Sequence, residues 1–118
     1  MPLFHITSQS EWVAAQASGE YRPQGFGREG FVHCSYADQV TGVANRLFRG
    51  RRDLVLLEID PASLTCRVVD ENLEGGPDLF PHIYGPVPAA AVLAVHAFPC
   101  ADDGSFGDGL PYNRGLPR

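Results

Sequence analysis

No run of about 18 apolar residues occurs in this sequence, so no helix able to cross a bilayer is predicted. The opening residues, Met1-Pro2-Leu3-Phe4-His5, lack the basic segment and long apolar segment of a secretion signal, and a cytoplasmic protein is the expectation. Cysteine is scarce. Cys34, Cys66 and Cys100 are odd in number and form no C-x-x-C pair, which argues against a disulfide framework and for free buried thiols. P-loop, G-x-G-x-x-G, G-x-S-x-G and H-E-x-x-H are all missing, and with them the chemistries those motifs serve. Positive charge is short too: 9 basic against 14 acidic residues leave a net charge of −5. That excludes a broad electrostatic grip on duplex nucleic acid, but not a small nucleotide in a local pocket. No internal repeat or linker breaks the chain.

What is present fits one domain. The chain has 118 residues, 44% of them hydrophobic, enough for a real core. Ser8 and Glu11 have the spacing of a capping box and predict a helix to about Ala17, anchored by Trp12 and Val13 and ended by Gly19. Glycines and Pro23 make residues 19–29 a loop. Gly30-Phe31-Val32-His33-Cys34-Ser35 reads as a short strand running into a helix, with Ser35 as N-cap and Asp38 at the capping-box position. Val40, Val43, Ala44, Leu47 and Phe48 follow at helical spacing and predict its buried face, with Gly50 as its end. Residues 53–60 are almost continuously apolar and predict a central strand buried on both faces. Residues 65–70 form another strand, expected to pair with it, and Glu71 opens a polar loop. Pro81 assigns the strand at residues 80–84 to an edge or irregular position. Residues 92–98 complete a count of about six strands and two helices, both in the N-terminal half, which is an α+β pattern. The domain is read as residues 1–98, followed by a Gly-, Asp- and Pro-rich tail at 99–118.

The chemistry concentrates on histidines. His5, His33 and His82 each sit inside an apolar strand, where Val or Ile would be ordinary, and together they suggest one shared pocket. His33 and Ser35 lie at a predicted helix N-terminus, a setting that favours anions and phosphates. In a nucleotide pocket His5, His33, Ser35 and His82 would hold ribose and phosphate, and Tyr84 would stack on a base. Glu71 would accept from a sugar hydroxyl and stabilise an oxocarbenium-like transition state. Two other readings use the same residues. Three imidazoles can ligate zinc for a hydrolase, although spacings of 5, 33 and 82 follow no local metal motif and no metal is expected. A non-catalytic module could bind a small anion or a partner. His96 has no polar company in the sequence and reads as structural. Cys34 should face the core, opposite His33, which removes it as a nucleophile.

Phe4-His5-Ile6-Thr7, the Gly30–Ser35 stretch, Asp53-Leu54-Val55-Leu56-Leu57 and Phe80-Pro81-His82-Ile83-Tyr84-Gly85, in that order, resemble the bacterial "domain of unknown function 952" family over about residues 3–98. The resemblance implies the ADP-ribosyltransferase-like fold: two small, mainly antiparallel sheets around a cleft, with helices beside them. It implies NAD as cofactor or substrate and a transferase activity. A His on the first strand (His5 here) would hold the NAD ribose, an aromatic residue would pack on nicotinamide, and a late Glu would assist cleavage, with His33 and Glu71 as the catalytic candidates. The superfamily's E-x-E pair and S-T-S-like strand are absent. Relatives such as RNA 2′-phosphotransferases rely on His and Arg, which would point to phosphoryl transfer by His5 and His33 with Arg22 or Arg28.

Overall fold

In a computed structural model that describes residues 1–73 and 75–107, the chain runs β1 (Leu3–Ser8), α1 (Gln9–Ser18), β2 (Glu20–Tyr21), α2 (Phe26–Glu29), β3 (Val32–His33) and α3 (Val40–Leu47). β4 (Leu54–Ile59), β5 (Arg67–Glu71), β6 (Phe80–Tyr84), β7 (Val87–Pro88) and β8 (Val92–Ala97) follow. This is a mixed α and β architecture of small antiparallel sheets with few helices; among the described residues the three α-helices all lie in the first half of the chain. One sheet has the order β1-β4-β8, a second has the order β3-β6-β5, and β2 pairs with β7 in a ribbon. Among the described residues no helix is long and apolar enough to cross a membrane.

The apolar run at 54–59 is central, and its two faces feed two cores. Val55, Leu57 and Ile59 join Leu3, Trp12 and Val32 on one side. Leu54 and Leu56 join Phe4, Val40, Ala44 and Phe98 on the other. A strand buried on both faces has no polar positions to alternate, which is why the run is continuous. The sheets are stitched together at Phe4 and Ser35, whose backbones exchange two hydrogen bonds of 2.8 Å.

Several expectations need correction. Ser35 caps no helix, because its backbone is engaged by Phe4. The helical turn begins after Tyr36, whose N–H donates to the Gln39 side chain at 2.9 Å, so Gln39 and not Asp38 closes the cap. At Ser8 the cap is as expected, with Glu11 N–H donating to its hydroxyl at 3.2 Å, but Val13 is exposed and Trp12 anchors α1 alone of that pair. Residues 19–29 are not only loop: they hold β2 and α2. β5 pairs with β6, not with β4, and extends to Glu71, which is therefore on a strand. β6 is the middle strand of its sheet despite Pro81. The Pro81 carbonyl accepts from Cys34 N–H at 3.0 Å, and the missing N–H faces the same flank, just beyond the end of two-residue β3. His96 has polar company after all, with Nε2 3.1 Å from Glu58 Oε1. Of the residues read as a tail, Cys100 and Phe106 are buried in the second core; positions 108–118 lie outside the described residues.

Gly85 follows β6 at a close approach. A Cβ there would lie 2.7 Å from Cys66 Cβ and 2.9 Å from its Sγ. Gly85→Ala should destabilise by about 1–3 kcal/mol through overpacking, seen as a lower denaturant midpoint; an unchanged midpoint would show that the Cys66 segment yields freely.

Candidate functional site

Antiparallel register brings the strand histidines together. His33 on β3 stands directly opposite His82 on β6, and their rings meet edge to face with centroids 5.0 Å apart. On β6 the alternation puts Phe80, His82 and Tyr84 on one face, and Glu71 of neighbouring β5 shares that face. His82 Nδ1 lies 3.0 Å from Glu71 Oε2, and the Tyr84 hydroxyl donates to the same oxygen. The Tyr84 hydroxyl first, and His82 second, hold the Glu71 carboxyl below the usual carboxylate range; the carboxylate in turn raises Tyr84. Phe31 stacks on the His82 ring at 4.4 Å. His33 is more open, its side chain 45% exposed, and its Nε2 lies 3.2 Å from Glu29 Oε2 at the end of α2.

His5 has a different role. Its Nδ1–H donates to the His33 carbonyl, because a carbonyl can only accept. Its Nε2 lies 2.8 Å from the Tyr21 hydroxyl, which is 2.8 Å from Thr7 Oγ1, and Thr7 donates to Glu11 Oε2 at 2.8 Å. Burial lowers the His5 pKa to about 4 and raises those of Tyr21 and Cys34. His5 is therefore a neutral buried link that fixes the β3 backbone, with both ring nitrogens engaged by protein.

A cavity of about 310 Å³ opens over these groups, at the lower end of the range typical of small-molecule sites. His5, His33, Ser35, Glu71 and His82 border it, as their shared-pocket reading requires. Val43 and Leu47 of α3 also border it, which explains why Leu47, expected in the core, is exposed. Tyr84 does not border the cavity. Its ring packs 5.3 Å from Phe31 and 5.3 Å from the Arg67 guanidinium, outside the cavity where a base would be stacked. Arg46 and Arg51 both border the cavity on the α3 side, and Arg51 is held by Asp53 through two hydrogen bonds of 2.8 Å. Glu11, which the sequence presents only as a capping residue, and Glu29, which it does not single out, border the cavity as well. Glu29 precedes His33 by four residues, a signal that the reading of 19–29 as loop concealed. Among the described residues no group of three or more His, Cys, Asp or Glu is placed to hold a metal ion.

Residues 6–95 match the family described as "Protein of unknown function (DUF952)". No curated protein matches the chain. It is similar to protein CC0527 from Caulobacter crescentus in two solved structures. One, by X-ray crystallography, is 30% identical with a TM-score of 0.81, covering 91% of this chain and 94% of that one. The other, by solution NMR, is 31% identical with a TM-score of 0.74, covering 88% and 90%.

Proposed function

The chain belongs to the DUF952 family of proteins of unknown function, and from the cleft itself we propose that it binds NAD or a related nucleotide and breaks the nicotinamide–ribose bond, as ADP-ribosyltransferases do. The observation that carries the reading is Glu71. Its carboxylate borders the cavity and is held ionised by Tyr84 and His82 on Oε2. Oε1 has no protein partner among the described residues. A fixed carboxylate beside a ribose accepts from its hydroxyl and stabilises the positive charge that develops as the leaving group departs. Glu29 suits the cationic nicotinamide end, and Arg46 on the α3 side suits the phosphates. Two small antiparallel sheets beside the cleft agree with an ADP-ribosyltransferase-like fold.

His33, half-exposed at the cavity, positions the ribose; His5 acts on it only through the His33 carbonyl. Phe48 and Phe80 offer the apolar surface that Tyr84 does not. Calorimetry with NAD and ADP-ribose tests the binding. Glu71→Gln should keep NAD affinity and lower nicotinamide release by roughly 10²–10³-fold. Folded protein that binds neither compound at millimolar concentration ends the NAD reading. Binding with no nicotinamide release from the wild type would leave a non-catalytic nucleotide module.

A further inference from the structure

Within the NAD reading, on which this step rests, we infer that His82 is the general base for the acceptor and that the acceptor is a hydroxyl group, water included. The argument begins with the tautomer. His82 Nδ1 faces Glu71 Oε2 at 3.0 Å, and an ionised carboxylate can only accept, so the ring proton of neutral His82 is on Nδ1. Nε2 is left with its lone pair. The His82 side chain is only 4% exposed, and Nε2 has no hydrogen-bond partner among the described residues. Yet no buried side-chain nitrogen or oxygen there lacks a partner. Nε2 is therefore not fully covered by protein, and the residue borders the cavity. Phe31 stacked at 4.4 Å and the His33 ring at 5.0 Å fix the plane of the imidazole. A carboxylate behind an imidazole, with the far nitrogen unpaired in a residue that borders a ligand-sized cavity, is the arrangement of an oriented base.

The base selects the acceptor. A carboxylate arrives already deprotonated and needs no base. A guanidinium holds its proton too tightly for a neutral imidazole. A hydroxyl is the nucleophile that such a base activates, taking its proton as the bond forms. The hydroxyl oxygen bonds to the ribose carbon that carried nicotinamide, and the carbon–nitrogen bond breaks. Its electron pair leaves with the nicotinamide nitrogen and cancels the pyridinium charge. The hydroxyl proton passes to His82 Nε2, and Glu71 steadies the imidazolium until that proton is lost to solvent. Water gives ADP-ribose; an alcohol gives the corresponding ADP-ribosyl O-glycoside.

The test incubates the protein with NAD in buffer containing methanol and measures nicotinamide, ADP-ribose and methyl ADP-ribose. Wild type should form both sugar products, the methyl share rising with methanol. His82→Asn keeps an amide N–H where Nδ1 stood and removes Nε2. It should slow nicotinamide release by roughly 10²–10⁴-fold, with the NAD dissociation constant within about threefold of wild type, because a loss confined to the chemical step spares binding. Release by this variant at the wild-type rate overturns the assignment, as does wild type that binds NAD but forms neither sugar product. If the variant does not fold, the product partition of the wild type still decides the acceptor. Failure to bind NAD at all refutes the nucleotide reading and this one with it, and calorimetry identifies that case separately.

Discussion

Replacing Phe4 with alanine should cost about 3–5 kcal/mol of folding stability, a large share of the roughly 5–15 kcal/mol available to a domain of this kind. Phe4 is 1% exposed and packs with Val40, Ala44, Leu56 and Phe98. Truncation removes a whole ring from water-free contact and leaves a void that a sheet held on both sides closes poorly. The backbone bonds to Ser35 do not depend on the side chain, so the stitch between the sheets persists and the loss is one of packing. Urea denaturation should show a lower midpoint at an unchanged slope. A loss below about 1 kcal/mol would mean that the second core refills the space, in conflict with a rigid β1. Because Phe4 also borders the cavity, the same variant should weaken nucleotide binding.

Acidification should be nearly as damaging. Burial first, and the His33 charge to a smaller degree, hold His5 below its ordinary value, while the His33 carbonyl and Glu11 work in the opposite direction. The result is a folded-state pKa of about 4 against 6.5 for the free side chain. The sign follows from proton counting. Between those values the unfolded chain binds the proton and the folded protein does not, so stability rises with pH across that window and falls as the solution is made acidic. At about 1.4 kcal/mol per unit, the loss between neutral solution and about pH 4 approaches 3 kcal/mol. The depressed carboxyl groups of Glu71, Asp53 and Asp103 add losses of the same sign only at lower pH, through and below the usual carboxylate range. His5→Gln should be less stable at neutral pH, because it cannot restore both hydrogen bonds, and flatter between about pH 6.5 and 4.5. Denaturation curves at several pH values check this; an unaltered slope in the variant would assign the acid sensitivity elsewhere.

Local signals in the sequence were dependable where one element decides the outcome. The cap at Ser8, the stop at Gly19 and the buried run at 54–59 all depend on near neighbours, and all appear where the pattern puts them. Pairing was less legible. Residues 65–70 follow 53–60 closely and look like its partner, but β4 already has β1 and β8 on its two edges. Pro81 looked like an edge residue because a sequence does not show that β3 ends after two residues. The candidate site divides in the same way. The alternation of β6 grouped His82 with Tyr84 on one face, whereas their surroundings differ through Phe31 and Arg67, which are distant from both in sequence. Three histidines in apolar strands read alike, but only contacts distinguish His5, engaged at both nitrogens, from His82, engaged at one. Glu11 read only as a capping residue, yet its carboxylate also receives Thr7 and the backbone N–H of Gln24.

The stitch at Phe4 and Ser35 bears on how the chain reaches this structure. Each sheet is closed by segments far apart in the sequence: Leu3 has to find Ile59, and His33 has to find His82. Such distant pairings are reached late and slow the search relative to a helical chain of equal length. During synthesis, a chain released from the ribosome only as far as α3 has helices but neither sheet, and β4 gains its second neighbour only once β8 has emerged. The residues that line the cleft run from Phe4 to His82, so a partial product of translation that stops before β6 lacks part of its wall.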